Sequence, residues 1–125
     1  MTRQQNPNLV LWLDLPVTNL DLAIAFYSAV LAQPLRDARP QSASATLQLS
    51  ASGTGLTLIE RAQSVAPAGA ILPYFNCQGR LAQAVARAIL HGGVVLQPIQ
   101  SMEPFGQRAV IQDPDGHLMA LHSAE

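Results

Sequence analysis

Side chains able to do chemistry are sparse in this sequence. Only 12% of its 125 residues are charged, every cation is an arginine, and there are three histidines and one cysteine. Cys77 has no second thiol for an intrachain disulfide, and no Cys-x-x-Cys is present to hold zinc. His122 has the chemistry of a general acid–base, and Asp14 is a carboxylate that could orient it. Two different segments carry them, and nothing in the spacing fixes their separation. His122 also stands close to the end of the sequence, which suits a frayed end or a subunit contact equally well. His91 closes a helical pattern before Gly92 and reads best as a partner of the helix dipole. Arg61 and Arg108 have the charge to meet an anionic ligand, although exposed arginines need no such purpose.

Composition narrows the function classes. Hydrophobic residues make up 49% of the chain and the formal net charge is −1, which describes a lightly charged globular domain with a real core. There is no basic block to attract nucleic acid or an anionic membrane. No apolar run approaches the roughly 20 residues of a membrane span. Met1 to Asn8 is polar, lacks the apolar stretch of a secretion leader, and is expected to form a flexible arm. A free thiol fits a reducing compartment, so a cytoplasmic protein is expected.

The elements that must position these residues follow from periodicity. Leu9, Leu11, Leu13, Leu15 and Val17 alternate with Val10, Trp12, Asp14 and Pro16, which predicts a strand with one uniformly apolar face. Its other face carries Trp12 and Asp14, which a core strand would not need. Thr18 and Asn19 offer a helix N-cap, and Ala23, Phe26, Tyr27, Val30 and Leu31 continue at helical spacing until Pro34. Weaker strands follow near Leu35–Ala38, Ala43–Ser50 and Gly55–Glu60. Ser52–Gly55 turns between the last two, and Ser64–Gly69 is the one candidate linker.

The pattern then restarts. Ile71–Cys77 reads as a strand, and Leu81, Ala84, Val85, Ala88 and Ile89 define a helix ended by Gly92-Gly93. Strands are expected at Val94–Pro98, Gln107–Gln112 and His117–His122. Between the last two lies Asp113-Pro114-Asp115-Gly116, whose residue types suit a tight turn. Met102–Gly106 is a hairpin connection with the reach to fold over a site. A shift of 59 residues carries Leu22, Ala23, Ala25, Ala29 and Leu31 onto Leu81, Ala82, Ala84, Ala88 and Leu90. The repeated order β-α-β-β-β speaks more strongly for duplication than these identities do. One domain over 9–123 is expected, with one repeat at about 9–63 and another at about 70–123.

A duplicated βαβββ unit ending in Asp-Pro-Asp-Gly resembles the vicinal oxygen chelate superfamily. That group includes glyoxalase I, extradiol dioxygenases, fosfomycin-modifying enzymes and bleomycin-resistance proteins. The resemblance rests on Leu15-Pro16-Val17-Thr18-Asn19-Leu20-Asp21 with Ala25-Phe26-Tyr27 and Val30-Leu31. Gly92-Gly93, Asp113 to Gly116 and Leu121-His122-Ser123 complete it. It implies an α+β fold in which two βαβββ repeats form a cup-shaped curved mixed sheet with helices on its outer face. It also implies a small-molecule site inside the cup and a likeness to proteins that commonly form homodimers.

In the metalloenzymes of that group, four cup-facing residues bind a divalent ion that polarises vicinal oxygens of the substrate. The corresponding positions here are Trp12, a residue near Leu72, Ala120 and Glu60. The first three have no side-chain donor for a metal. Alternation from them predicts a cup with Leu72, Leu118 and Ala120 as floor, Trp12 and Tyr74 as an aromatic pair, and Asp14, Asn76 and His122 as polar groups. Each has a plainer role available: Trp12 and Tyr74 as packing residues, Asp14 as a solvent-exposed strand end. The expected function is therefore binding of a small organic molecule without the usual metal or another cofactor. The alternative is a metal-dependent lyase or dioxygenase whose ion is held by Glu60, His122 and Asp14.

Overall fold

The computed structural model describes residues 10–50, 53–61 and 72–124. The expected arm at 1–8, Ser52 and the Ser64–Gly69 linker lie outside the described residues. The first half runs β1 (Trp12–Val17), α1 (Leu20–Leu31), β2 (Arg36–Asp37), β3 (Ser44–Leu47) and β4 (Gly55–Glu60). The second runs β5 (Tyr74–Asn76), α2 (Leu81–Leu90), β6 (Val94–Ser101), β7 (Gln107–Gln112) and β8 (Leu118–Ser123). Strand order is β1-β4-β3-β2 in one sheet and β5-β8-β7-β6 in the other. The topology of the first half is thus repeated in the second. β1 pairs parallel to β4, β5 pairs parallel to β8, and the remaining pairs are antiparallel.

Local chemistry explains the boundaries. Asn19 caps α1, its side-chain oxygen accepting from the Leu22 amide at 3.0 Å. The helix stops at Ala32, which takes the left-handed conformation at φ 56°. Gly92, at φ 94°, ends α2, and the Gly93 amide reaches back to the Ala88 carbonyl at 2.7 Å. The Asp113–Gly116 turn closes as its residue types require: Gly116 sits at φ 96° and its amide donates to the Asp113 carbonyl at 3.0 Å. The Asp113 carboxylate accepts from the Asp115 and His117 amides at 2.9 and 2.8 Å. β6 is longer than periodicity suggests. It continues through Pro98 to Ser101, with breaks in its pairing with β7 between Val95 and Gln97 and between Gln97 and Gln100.

One core joins the halves. It takes Leu15 and Val17 from β1, Leu56 and Leu58 from β4, and Leu20, Phe26, Tyr27 and Val30 from α1. From the second half come Leu81, Ala84, Ile111, Met119 and Leu121. The helices α1 and α2 pack on each other, and among the described residues no strand of one sheet is hydrogen-bonded to the other. Polar groups tie the second half to α1. Thr18 donates from its amide and hydroxyl to Asp115, at 2.9 and 2.6 Å, and the buried Tyr27 hydroxyl donates to Asp113 at 2.6 Å. Arg80 donates to the Val30 and Leu31 carbonyls at 2.7 and 3.0 Å, where the helix dipole favours a cation. Each sheet therefore turns one face to the shared core and leaves the other open.

Candidate functional site

The strand registers decide which side chains stand on the open faces. Val17 and Leu15 are buried in the core, so Trp12 and Asp14 point the other way from β1. Trp12 lies opposite Gly55, and a Cβ at that position would come within 1.9 Å of the indole. The ring is laid flat on the glycine, and its Nε1–H donates to the Thr57 hydroxyl at 2.7 Å. It remains 41% exposed although both its polar atom and one face are engaged.

The second open face is built by β5, β8 and β7. Tyr74 pairs with Ala120 and Asn76 with His122, while Ala120 pairs with Val110 and His122 with Arg108. Leu118, Ala120 and Val110 form its apolar floor, since Met119, Leu121 and Ile111 go to the core, but Ala120 and Val110 are themselves covered and only Leu118 is partly accessible. Tyr74 is 48% exposed. Arg108 donates to the Tyr74 hydroxyl, and its guanidinium carbon lies 5.7 Å from the centre of the Tyr74 ring. The His122 ring is 6.2 Å from that of Tyr74, and its Nε2 meets the Phe105 carbonyl at 2.6 Å. The Met102–Gly106 connection is a tight hairpin, the Met102 amide donating to the Gly106 carbonyl at 2.7 Å, and its Phe105 carbonyl covers the His122 end of the face.

The residues expected in one cup thus fall into two sets. Trp12 and Asp14 are on the first sheet; Tyr74, Asn76, Leu118, Ala120 and His122 share the open face of the second. Among the described residues no hydrogen bond or ring contact joins the two sets. Asp14 and His122, the candidate acid–base pair, are not brought together. Leu72, just before β5, instead lines a cavity of about 830 Å3 together with Tyr74 and Asn76. The other walls of this cavity are Leu13, Leu47 and Leu56 from the core side of the first sheet, with Leu31, Phe75 and Arg80. It is mostly apolar and lies between the halves, on the opposite side of the first sheet from Trp12.

Two participants are not evident from the sequence. Thr57, which holds the indole, and Gly55, which seats it, become visible only once β1 is known to pair with β4 in this register. Arg108 is expected from its charge, and its place beside His122 follows from the turn. A tight turn at Asp113–Gly116 pairs Gln112 with Leu118, and counting back pairs Arg108 with His122. His91, as expected, stands at the end of α2.

A family model for the glyoxalase/bleomycin resistance protein/dioxygenase superfamily matches residues 9–121. The chain belongs to this superfamily. No curated protein matches it. Among solved structures, a glyoxalase/bleomycin resistance protein from Albidiferax ferrireducens is similar at a TM-score of 0.79 and 18% identity, covering 93% of this chain and 98% of that one. A glyoxalase-related enzyme from Fulvimarina pelagi aligns at 0.74 and 19%, covering 91% and 86%. A genomically encoded fosfomycin resistance protein from Listeria monocytogenes aligns at 0.71 and 18%, covering 94% of each chain. Likeness at these identities establishes the shared fold.

Superfamily membership raises the question of a divalent ion, and the residues present do not fit one. Trp12, Ala120 and Leu72 offer no side-chain donor. Glu60 pairs with Val17 and so stands on the core side of β4, where its carboxylate accepts from the Leu20 amide at the start of α1, at 2.9 Å. It therefore stands on the opposite face of the first sheet from Asp14, the other first-half member of the alternative ligand set. No three His, Cys, Asp or Glu side chains gather among the described residues.

Proposed function

We propose that this superfamily member binds a small organic molecule on its open sheet faces and acts by enclosing it, without a divalent ion. One observation carries this reading. Each open face presents an aromatic ring whose polar tip is satisfied within its own sheet, Trp12 on Thr57 and Tyr74 on Arg108, while the ring itself stays exposed. Burying a ring with its hydrogen bond already made loses no polar partner, which suits a ligand wall. Each open face is half of an enclosure, because α1 and α2 pack together on the core side and turn the two faces away from that core. A homodimer in which the first sheet of one copy faces the second sheet of the other would complete it.

The cavity between the halves favours a second reading, in which a single chain holds the ligand there. At about 830 Å3 it is within the size range of small-molecule pockets.

Tryptophan fluorescence separates these readings, since Trp12 is the sole reporter. Planar aromatic and amphipathic metabolites should perturb the emission, and Trp12→Ala, followed by calorimetry because it removes the reporter, should weaken binding more than it lowers the denaturant midpoint. Binding that survives Trp12→Ala but is lost in Leu56→Trp would place the ligand in the cavity. Metal content after purification without chelator should be well below one equivalent. A bound equivalent of Zn, Ni, Mn or Fe, with a thermal shift on adding that ion, would favour a metal-dependent lyase or dioxygenase instead.

A further inference from the structure

We propose that the ligand is an organic anion, a planar carboxylate or phosphate, whose charge is received by Arg108; this rests on the open-face reading above. The described arginines that the fold engages are mostly neutralised or dipole-bound. Arg39 lies between Asp21 and Asp37, at 2.8 and 2.7 Å. Arg80 and Arg87 donate to carbonyls near the end of α1, where the helix carries partial negative charge. Arg108 differs. It is half-buried on a face floored by Leu118, Ala120 and Val110, and its partners are the Tyr74 hydroxyl and the Gln97 side-chain oxygen, the latter at 3.4 Å. Neither partner is charged, and among the described residues no carboxylate lies within ion-pair distance of it.

That setting is selective. A guanidinium has five N–H donors in a planar fork, and two bonds to neutral oxygens leave the fork able to take a carboxylate or phosphate edge. The bonds to the Tyr74 hydroxyl and to Gln97 hold the fork before any ligand arrives, which lowers the ordering cost of binding. His122 stands beside the same ring with Nε2 on the Phe105 carbonyl, so Nδ1 remains for a second polar group of the ligand. The acid group of the ligand then sits at Arg108, and its flat body lies along the exposed Tyr74 ring. A counter-ion from elsewhere would serve the same charge: Asp14 of a second copy is the protein alternative.

The test uses the full chain and four probes: 2-naphthoate, 2-naphthyl phosphate, neutral 2-naphthamide and cationic 2-naphthylmethylammonium, titrated by calorimetry. One or both anions should bind about tenfold or more tightly than the amide, as a charge-assisted pair requires, and the cation should bind worst. Whichever anion binds tighter distinguishes carboxylate from phosphate ligands. Arg108→Gln should erase the preference for anions, so that naphthoate and naphthyl phosphate bind no more tightly than naphthamide does to the same variant, and Arg108→Lys should restore part of the preference. Equal binding of naphthoate and naphthamide to the wild type would overturn the proposal and leave small-molecule binding intact. Absence of binding by every probe at millimolar concentration would overturn both. Should Arg108→Gln instead abolish self-association in sedimentation, its counter-ion is the second copy and the proposal fails.

Discussion

Tyr27 shows how much one side chain holds together in this molecule. Its ring is fully buried, meets Phe26 and Phe75 edge-on, and its hydroxyl donates to the buried Asp113 carboxylate at 2.6 Å. A helix of the first half is thereby fastened to the turn of the second. Tyr27→Phe keeps the packing and leaves one carboxylate oxygen without its donor, so a loss of about 1.5–3 kcal/mol in denaturant unfolding is expected. Burial, followed by the negative charge of Asp113, raises the phenol well above its ordinary range. A raised value means the contribution is complete below the unfolded value of about 10 and is lost as pH climbs through the folded one. Stability should therefore fall above about pH 10 in the wild type and fall less steeply in Tyr27→Phe. At this scale the sequence was informative about faces. Period-two alternation grouped Trp12 with Asp14, Tyr74 with Asn76, and Leu118 with Ala120 and His122, and each group does share one side of its strand, although Ala120 is fully buried there. It was silent on which faces oppose each other, because alternation describes one strand at a time.

Elements were legible where a local cause sets them. Asn19, Gly92 and the Asp113–Gly116 turn end or begin their elements through their own backbone chemistry, and all three act as expected. β7 was expected, and is found, at Gln107–Gln112. β2 shrinks to Arg36–Asp37 and β5 to Tyr74–Asn76, because a strand at a sheet edge lasts only as long as its single neighbour holds it. β6 was expected to stop at Pro98, since proline lacks an amide donor. On an edge strand that missing donor can face away from the ladder, and β6 continues. The pairing of β1 with β4 carries the clearest element-level prediction. A side chain at Gly55 cannot coexist with the indole of Trp12 in its present place. Gly55→Val should displace the ring, shift its emission, weaken ligand binding and cost about 1–3 kcal/mol of stability. An unchanged emission spectrum would mean that the indole is not seated on this glycine.

For the whole molecule, the question is how two outward half-sites become one. A dimer at micromolar concentration in sedimentation is expected, and a clean monomer would remove the proposed enclosure. Mixing two defective variants gives a sharper answer. Trp12→Ala damages the first sheet, Tyr74→Ala the second, and neither chain alone should bind. If each site takes one sheet from each copy, refolding the two together makes half of the dimers mixed, each with one intact site. Binding should then return to about a quarter of wild-type capacity. If a site is enclosed within one chain, mixing restores nothing. The sequence could not decide this, because the same duplicated pattern serves both arrangements.

The broken pairing of β6 has a bearing on solubility. Val94, Leu96 and Ile99 are exposed on this strand, which forms the outer edge of its sheet. A regular edge of that composition is a template on which another chain can add a strand, and the low charge of this protein would do little to repel it. Pro98 withholds one amide, and the two register breaks on either side of Gln97 bend the edge out of the geometry that a continuous ladder needs. The irregularity thus acts as a guard against fibre-like association. Pro98→Val should leave ligand affinity and the secondary-structure spectrum unchanged, yet raise light scattering and thioflavin-positive material on prolonged heating below the unfolding midpoint. Equal scattering from both proteins would show that something other than this edge keeps the chains apart.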